Sequence, residues 1–190
     1  RTRGRSTYSQ TPIWIFWFYA DGVCRGEVLF GMLIQTERLC LRDPVESDLP
    51  RITSYQSDTR YLEHYLKPPD SKLILGLAME WASEKPRKNY QLIISLKVKS
   101  EAIGSIGLRT SNSAVGEAEV GIEIDPNHWG NGFASEALAG IIDLAKSIHI
   151  RRLQAITNEK NTRAMALLKT AGFYLDKVTT PFAYLSLLIK

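Results

Sequence analysis

The chain has 190 residues, of which 44% are hydrophobic and 23% are charged, as is ordinary for a soluble globular protein. This composition excludes a disordered chain, a collagen-like fibre and a coiled coil, and the length favours a single domain. The net charge of +4, from 24 basic and 20 acidic residues, is too small to indicate a dedicated nucleic-acid-binding protein. Two cysteines, Cys24 and Cys40, indicate no disulfide framework, and no Cys/His cluster has metal-ligand spacing. We expect a cytoplasmic protein without a metal.

Residues 1–31 differ in character from the rest of the chain. Three arginines precede an aromatic run over residues 13–20, and these eight apolar residues are far fewer than the roughly 20 that span a bilayer. The alternative of a secretory signal lacks a small-residue cleavage site, which Ala20-Asp21-Gly22 does not supply. We therefore expect an N-terminal extension or non-native leader over residues 1–31, one domain over residues 32–190, and no membrane association.

The first half of this domain contains predicted strands and helices in alternation. Residues 33–41 alternate loosely as a strand, and helical spacing of apolar residues predicts helices around residues 49–55 and over residues 71–83. Residues 90–98 and 102–109 form two strands around a short polar turn, which predicts a hairpin. Alternation is strict over residues 117–125, where apolar side chains face one way and acidic ones the other. This pattern predicts a half-buried strand.

The second half continues with a glycine turn and further strands and helices. A strong apolar stripe predicts a helix over residues 134–148, and a strand follows over residues 151–157. Asn161 can cap a further helix that ends at Gly172. Residues 173–178 and 183–189 form two closing strands. The order predicts an α/β (α+β) fold, with a sheet of about seven strands flanked by about four helices.

The turn Gly130-Asn131-Gly132 lies between a predicted strand and a predicted helix. The first four N–H groups of a helix lack intrahelical partners, and the helix dipole adds about half a positive charge there. Glycine lets a phosphate approach the backbone, so the turn suits a phosphate or pyrophosphate. By themselves the glycines are also typical of a simple tight turn. The chain has no Gly-Lys-Ser/Thr of a Walker loop, and Ser135 replaces the third glycine of a dinucleotide fingerprint.

Three motifs accompany this turn. Residues 118–137 read Ala-Glu-Val-Gly-Ile-Glu-Ile-Asp-Pro-Asn-His-Trp-Gly-Asn-Gly-Phe-Ala-Ser-Glu-Ala. Residues 158–173 read Asn-Glu-Lys-Asn-Thr-Arg-Ala-Met-Ala-Leu-Leu-Lys-Thr-Ala-Gly-Phe, and residues 36–39 read Thr-Glu-Arg-Leu. Together they resemble the GNAT superfamily of N-acetyltransferases, most of all the branch of ribosomal-protein N-terminal acetyltransferases, over residues 33–189. The resemblance implies a mixed, mostly antiparallel central sheet.

The resemblance also implies a chemistry, with acetyl-CoA as donor and a primary amine of a small molecule or peptide as acceptor. In such folds the strands over residues 117–125 and 151–157 diverge, and the pantetheine arm of acetyl-CoA lies between them. The pyrophosphate would sit on the backbone N–H groups of residues 130–135. The implied cofactor-binding residues are Ile122, Ile124, Trp129, Gly130, Asn131, Gly132, Phe133, Ala134, Ser135, Asn158 and Asn161.

The candidate catalytic residues are less well defined. Many relatives carry Ser at the position of Ala164, and at the position of Leu168 a Tyr that can protonate the leaving thiolate, so another donor or water must serve here. Glu119 and Glu123 lie on the polar face of one strand, roughly 13 Å apart at ~3.3 Å per residue, which is too far for a carboxylate pair. We favour Glu119 as the general base, with simple solvent exposure of both as the alternative.

Several alternatives stay open at this point. A non-catalytic acyl-CoA-binding or interaction protein could use the same fold, because a fold does not determine a function. Tyr61, His64, Tyr65 and Trp81 are candidates for the acceptor mouth, and the short stretch 177–182 predicts an open acceptor site. A nucleic-acid partner is not expected, and the sequence does not distinguish a monomer from a homodimer.

Overall fold

The computed structural model describes residues 31–65, 67, 69–110 and 113–190. The predicted extension over residues 1–31 lies outside these residues, apart from Gly31. The described part of the chain contains eight strands and five α-helices. The strands are β1 Leu33–Gln35, β2 Leu39–Arg42, β3 Asn89–Leu96, β4 Ala102–Arg109, β5 Glu117–Ile124, β6 Arg152–Asn158, β7 Tyr174–Thr179 and β8 Phe182–Leu188. The helices are α1 Leu49–Gln56, α2 Thr59–Leu62, α3 Ser71–Ser83, α4 Phe133–Ser147 and α5 Thr162–Thr170.

All eight strands belong to one sheet with the order β1-β2-β3-β4-β5-β6-β8-β7. Every neighbouring pair is antiparallel except β5 and β6, which are parallel. The predicted α/β class and the mostly antiparallel sheet are therefore confirmed.

The sequence predicts about seven strands and about four helices, and the described residues form one more of each. The first predicted strand is a hairpin, because Thr36 N donates to Leu39 O at 3.0 Å and Leu39 N donates to Thr36 Oγ1 at 3.1 Å, which reverses the chain. The added helix, α2, begins after Asp58, whose side chain accepts a hydrogen bond from Arg60 N. With four residues, α2 is too short to show a helical period in the sequence.

The two faces of the sheet are covered by different helices. On one face, α4 buries Leu138, Ile141 and Leu144 in the main core, together with residues of β2 to β6. On the other face, α1, α2 and α3 form a smaller core around Ile93 and Ala102. Each fully buried Leu or Ile stabilises the fold by about 1.5–3 kcal/mol relative to an exposed one. In the described part of the chain, no helix is both long enough and apolar enough to cross a membrane.

The parallel strands β5 and β6 separate part-way along their length. They pair only where residues 117–119 of β5 meet residues 152–154 of β6. Beyond this point β5 remains bonded to β4 as far as Ile124, while β6 continues beside β8. The divergence implied by the resemblance is therefore present, and it leaves a gap at the carboxyl end of β5.

Candidate active site

A cavity of about 610 Å³ opens at this gap, within the usual size range of ligand sites. Its walls come from the end of β5, the turn over residues 128–132, the first turn of α4, one side of α5, and the segment from α2 to Tyr65. One continuous space therefore joins the glycine turn to the aromatic side chains near α2.

Most of the predicted site residues line this cavity. They are Ile122, Glu123, Ile124, Trp129, Gly130, Gly132, Phe133, Ala134, Ser135 and Asn161. Glu119, Asn131 and Asn158 do not. The two asparagines close turns instead: Asn131 Nδ2 donates to the His128 and Trp129 carbonyls at 3.1 Å, and Asn158 Oδ1 accepts from Lys160 N at 2.9 Å.

The glycine turn presents main-chain N–H groups to the cavity. Gly130 and Gly132 have φ values of 78° and 77°, in the left-handed region that disfavours side chains with a Cβ. Gly132 is the N-cap residue of α4, and the first bond of the helix runs from Glu136 N to Gly132 O at 3.1 Å. The N–H groups of residues 133–135 therefore have no acceptor within the helix, and these three residues line the cavity.

Thr36 and Arg38 of the β1–β2 hairpin, together with Glu136 of α4, form a clamp that holds this turn. Glu136, in the first turn of α4, accepts hydrogen bonds from Thr36 Oγ1, from Arg38 N at 2.7 Å and from Arg38 Nε at 2.7 Å. Arg38 also donates from Nη1 to Asn131 O at 3.0 Å, and its guanidinium lies 4.7 Å from the centre of the Phe133 ring. Although burial raises it, the pKa of the Glu136 carboxyl lies below its ordinary value because Thr36 and Arg38 donate to it. The sequence motif around Arg38 did not reveal this role.

Trp129 connects the two sides of the cavity mouth. Its ring lies 5.9 Å from the ring of His64, and the guanidinium of Arg163 lies 4.5 Å from its centre. Its Nε1 donates to Ile124 O at 2.7 Å, which ties the turn to the end of β5. Among the candidates for the acceptor mouth, Tyr61, His64 and Tyr65 line the cavity, whereas Trp81 on α3 does not.

Glu123 is the centre of a hydrogen-bond network beside the cavity. Its Oε1 accepts from Tyr55 Oη at 2.7 Å, from Ser105 Oγ at 2.9 Å and from Gln56 Nε2 at 3.0 Å. Its Oε2 accepts from Tyr61 Oη and from Gln56 Nε2, the latter at 3.2 Å. The donors come from α1, α2 and β4, so three separate elements hold one carboxylate at the end of β5.

Three tyrosines form an aromatic wall around this carboxylate. The rings of Tyr61 and Tyr65 stack at 4.5 Å, and Tyr55 meets Tyr61 edge-on at 5.9 Å. Burial and the negative charge of Glu123 raise the pKa of Tyr55 and of Tyr61 well above the ordinary value, and raise the pKa of Tyr65 to about 12. All three phenols therefore keep their protons at neutral pH, and those of Tyr55 and Tyr61 donate to Glu123.

The two candidate bases on β5 lie in different surroundings. The side chain of Glu119 is 47% exposed and pairs with Arg109 Nη1 at 3.1 Å, in the part of β5 that is still bonded to β6. Glu123 lies beyond that part and lines the cavity. The geometry therefore favours Glu123 over Glu119, and the choice of base remains a prediction.

Two further expectations concern Leu168 and a metal. Leu168 is 5% exposed, packs in the main core and does not line the cavity, so its side chain faces away from the site. Within the described residues, no group of three or more His, Cys, Asp or Glu side chains could hold a metal ion. The expected absence of a metal stays a prediction.

Comparisons with known proteins show the family to which this chain belongs. Residues 38–174 match the family model for the acetyltransferase (GNAT) domain. The chain is 30% identical over 146 residues to the uncharacterized N-acetyltransferase p20 of Bacillus licheniformis, an alignment that covers 74% of this chain and 81% of that protein. The chain therefore belongs to the GNAT acetyltransferase family. It is an acetyl-CoA-dependent acetyltransferase.

Two solved structures show the same fold at low sequence identity. The microcin C7 self-immunity acetyltransferase MccE, in complex with acetyl-CoA and AMP, has a TM-score of 0.66 and 15% identity, over 80% of this chain and 93% of that one. RimL, a ribosomal L7/L12 α-N-protein acetyltransferase, has a TM-score of 0.69 and 16% identity, over 84% and 96%. At these identities the likeness is one of fold.

Proposed function

We propose that this protein transfers an acetyl group from acetyl-CoA to a primary amine by direct attack within a ternary complex. The observation that carries the proposal is that Glu123 and the N–H groups at the start of α4 border the same cavity. A candidate proton acceptor and a backbone suited to a diphosphate thereby border one site, as a reaction between an amine and a CoA thioester requires.

The backbone that borders the cavity supports acetyl-CoA as the donor. The N–H groups of residues 133–135 would bind the diphosphate, because they lack helical partners and carry the positive end of the α4 dipole. The edge of β5 near Ile122 and Ile124, which β6 no longer covers, would bind the pantetheine arm. Bound there, acetyl-CoA supplies an activated acetyl thioester.

Glu123 would prepare the amine. A lysine-like ammonium has a pKa of ~10.4 and an α-ammonium ~8, so most acceptors are protonated at neutral pH and cannot attack. Glu123 removes one proton, and the neutral nitrogen then forms a C–N bond with the acetyl carbon as the C–S bond breaks. The second proton lost by the nitrogen neutralises the leaving sulfur. A thiol has a pKa of only ~8.5, so its thiolate leaves readily. The reaction therefore does not need a proton donor at position 168, where Leu168 is buried in the core.

The acceptor is a primary amine of a small molecule or of a polypeptide N terminus. β7 and β8 are joined only by residues 180–181, so no long segment between them covers the neighbouring sheet face. RimL, which has the same fold, acts on a protein α-amine, but a likeness of fold does not choose between the two acceptor classes.

Titration with acetyl-CoA tests the proposal directly. We expect heat of binding and a higher melting temperature at saturation, because a ligand that binds only the folded state stabilises it by mass action. We also expect thiol release when a panel of primary amines is added. Binding without thiol release for any amine would favour the alternative of a non-catalytic acyl-CoA-binding protein. The absence of binding would contradict the proposal as a whole.

Replacing Arg38 with Gln should weaken acetyl-CoA binding about fivefold, because it removes an ion pair and a hydrogen bond together worth about 1 kcal/mol. The turn loses its contact with Asn131 O, and Glu136 loses its compensating charge beside the diphosphate position. Calorimetric titration measures the change. Arg109→Gln is the matched control, since Arg109 also pairs with a glutamate but does not line the cavity. Equal affinities for the two variants would contradict the role of the clamp.

A further inference from the structure

The carboxylate of Glu123 has no unused hydrogen-bonding position. A carboxylate offers about four lone pairs. Glu123 accepts from four side-chain groups, namely the hydroxyls of Tyr55, Tyr61 and Ser105 and the amide of Gln56. An ammonium group that enters the cavity therefore cannot reach a lone pair of Glu123 unless one donor moves or passes the proton on.

Tyr61 differs from the other three donors in its position. It lines the cavity, whereas Tyr55, Gln56 and Ser105 are absent from the described lining. Two of these three are also fixed by a further side-chain hydrogen bond. Ser71 Oγ donates to Gln56 Oε1 at 2.6 Å, and Gln91 Nε2 donates to the Ser105 hydroxyl at 3.0 Å. Of the four donors, Tyr61 is therefore the one that an acceptor in the cavity can contact.

We propose that Tyr61 is a catalytic residue that relays the proton from the acceptor ammonium to Glu123. An N–H bond of the ammonium breaks as its proton bonds to Tyr61 Oη, and the original Tyr61 proton passes to Glu123 Oε2. The products are a neutral amine, an unchanged phenol and a protonated Glu123. This inference rests on the proposed function, in which Glu123 is the final proton acceptor.

The surroundings of Tyr61 require the two transfers to occur together. Its phenol is 3% exposed and lies against the Glu123 carboxylate, and both burial and this charge raise its pKa. A free phenolate would therefore be a costly intermediate, and burial away from water disfavours a doubly protonated, cationic phenol as well. Tyr65 stacks on Tyr61 at 4.5 Å and holds the ring in place. The relay is thus a concerted movement of two protons through one hydroxyl.

Tyr61→Phe and Tyr55→Phe form a matched pair that tests the relay. Both remove one phenol that donates to Glu123, and both rings are almost fully buried. We expect Tyr61→Phe to lower kcat with a small primary amine about 10²-fold, as for the loss of a proton-transfer group. We expect Tyr55→Phe to lower it less than about fivefold, the cost of one hydrogen bond. Acetyl-CoA affinity, measured by titration, should stay unchanged in both.

A proton inventory in mixtures of H₂O and D₂O separates a relay from a structural role. The wild type and Tyr55→Phe should show a curved dependence of kcat/KM on the deuterium fraction, from two protons in motion, and Tyr61→Phe should show a linear one. Equal losses of kcat with curvature kept in both variants would overturn the relay. Replacement of Tyr61 by 3,5-difluorotyrosine, which keeps the hydroxyl, should retain the curvature, and a linear dependence there would also overturn it. Full turnover of Glu123→Gln would instead overturn the proposed function.

Discussion

Glu123→Gln should lower kcat about 10²–10⁴-fold, the usual contribution of a positioned general base. The amide keeps the size of the side chain but cannot accept a proton from the acceptor. Acetyl-CoA affinity should change less than about twofold, because Glu123 lies on β5, whereas the proposed diphosphate position is at the start of α4. Steady-state kinetics with a primary amine and calorimetric titration with acetyl-CoA measure the two quantities separately.

The matched control is Glu119→Gln on the same face of β5. Glu119 pairs with Arg109 and does not line the cavity, so we expect its turnover to stay within about threefold of the wild type, as for an exposed ion pair. The deficit of Glu123→Gln should shrink as the pH rises toward the acceptor's own pKa of ~8 to ~10.4, because more amine is then already neutral. A large loss for Glu119→Gln with full activity of Glu123→Gln would reverse the assignment.

Gly132→Val should weaken acetyl-CoA binding about 10- to 100-fold, because the turn would lose the shape that lets a phosphate reach the backbone. Gly132 has a φ of 77°, which a β-branched residue tolerates poorly. A Cβ there would also lie 3.4 Å from Arg38 Nη2, so the branched side chain of Val would displace the Arg38 guanidinium of the clamp. Calorimetric titration measures the affinity, and the backbone strain should cost about 1–3 kcal/mol of stability.

Gly172→Val controls for the strain. Gly172 also has a left-handed φ, of 93°, and a Cβ there would meet Leu187 Cδ1 at 3.5 Å. It lies after α5 and does not line the cavity. The two variants should therefore lose similar stability, as judged by chemical denaturation, while Gly172→Val keeps its acetyl-CoA affinity. Equal affinities in the two variants would show that the turn does not bind the diphosphate.

The sequence predicted the elements whose signal is local. Strict alternation identified β5, the apolar stripe identified α4, and the glycines at 130 and 132 marked the turn between them. The first hairpin and α2 were missed, because a strand of three residues and a helix of four residues are shorter than the periods that reveal such elements. Most of the residues that the resemblance implies for the cofactor line the cavity, whereas Asn131 and Asn158 lie in turns outside its lining; their cofactor-binding roles stay predictions.

The sequence by itself therefore determined the fold class, the glycine turn and the family, since each is written in neighbouring residues. It could not choose between Glu119 and Glu123, because both lie on the same face of one strand. The tertiary structure distinguishes the two, because it brings Tyr55 and Tyr61 to Glu123 from 68 and 62 residues away, and this favours Glu123 as the predicted base. It also brings Arg38 to Glu136 across 98 residues. Periodicity describes one element at a time, whereas these contacts depend on how the sheet orders elements that are distant along the chain.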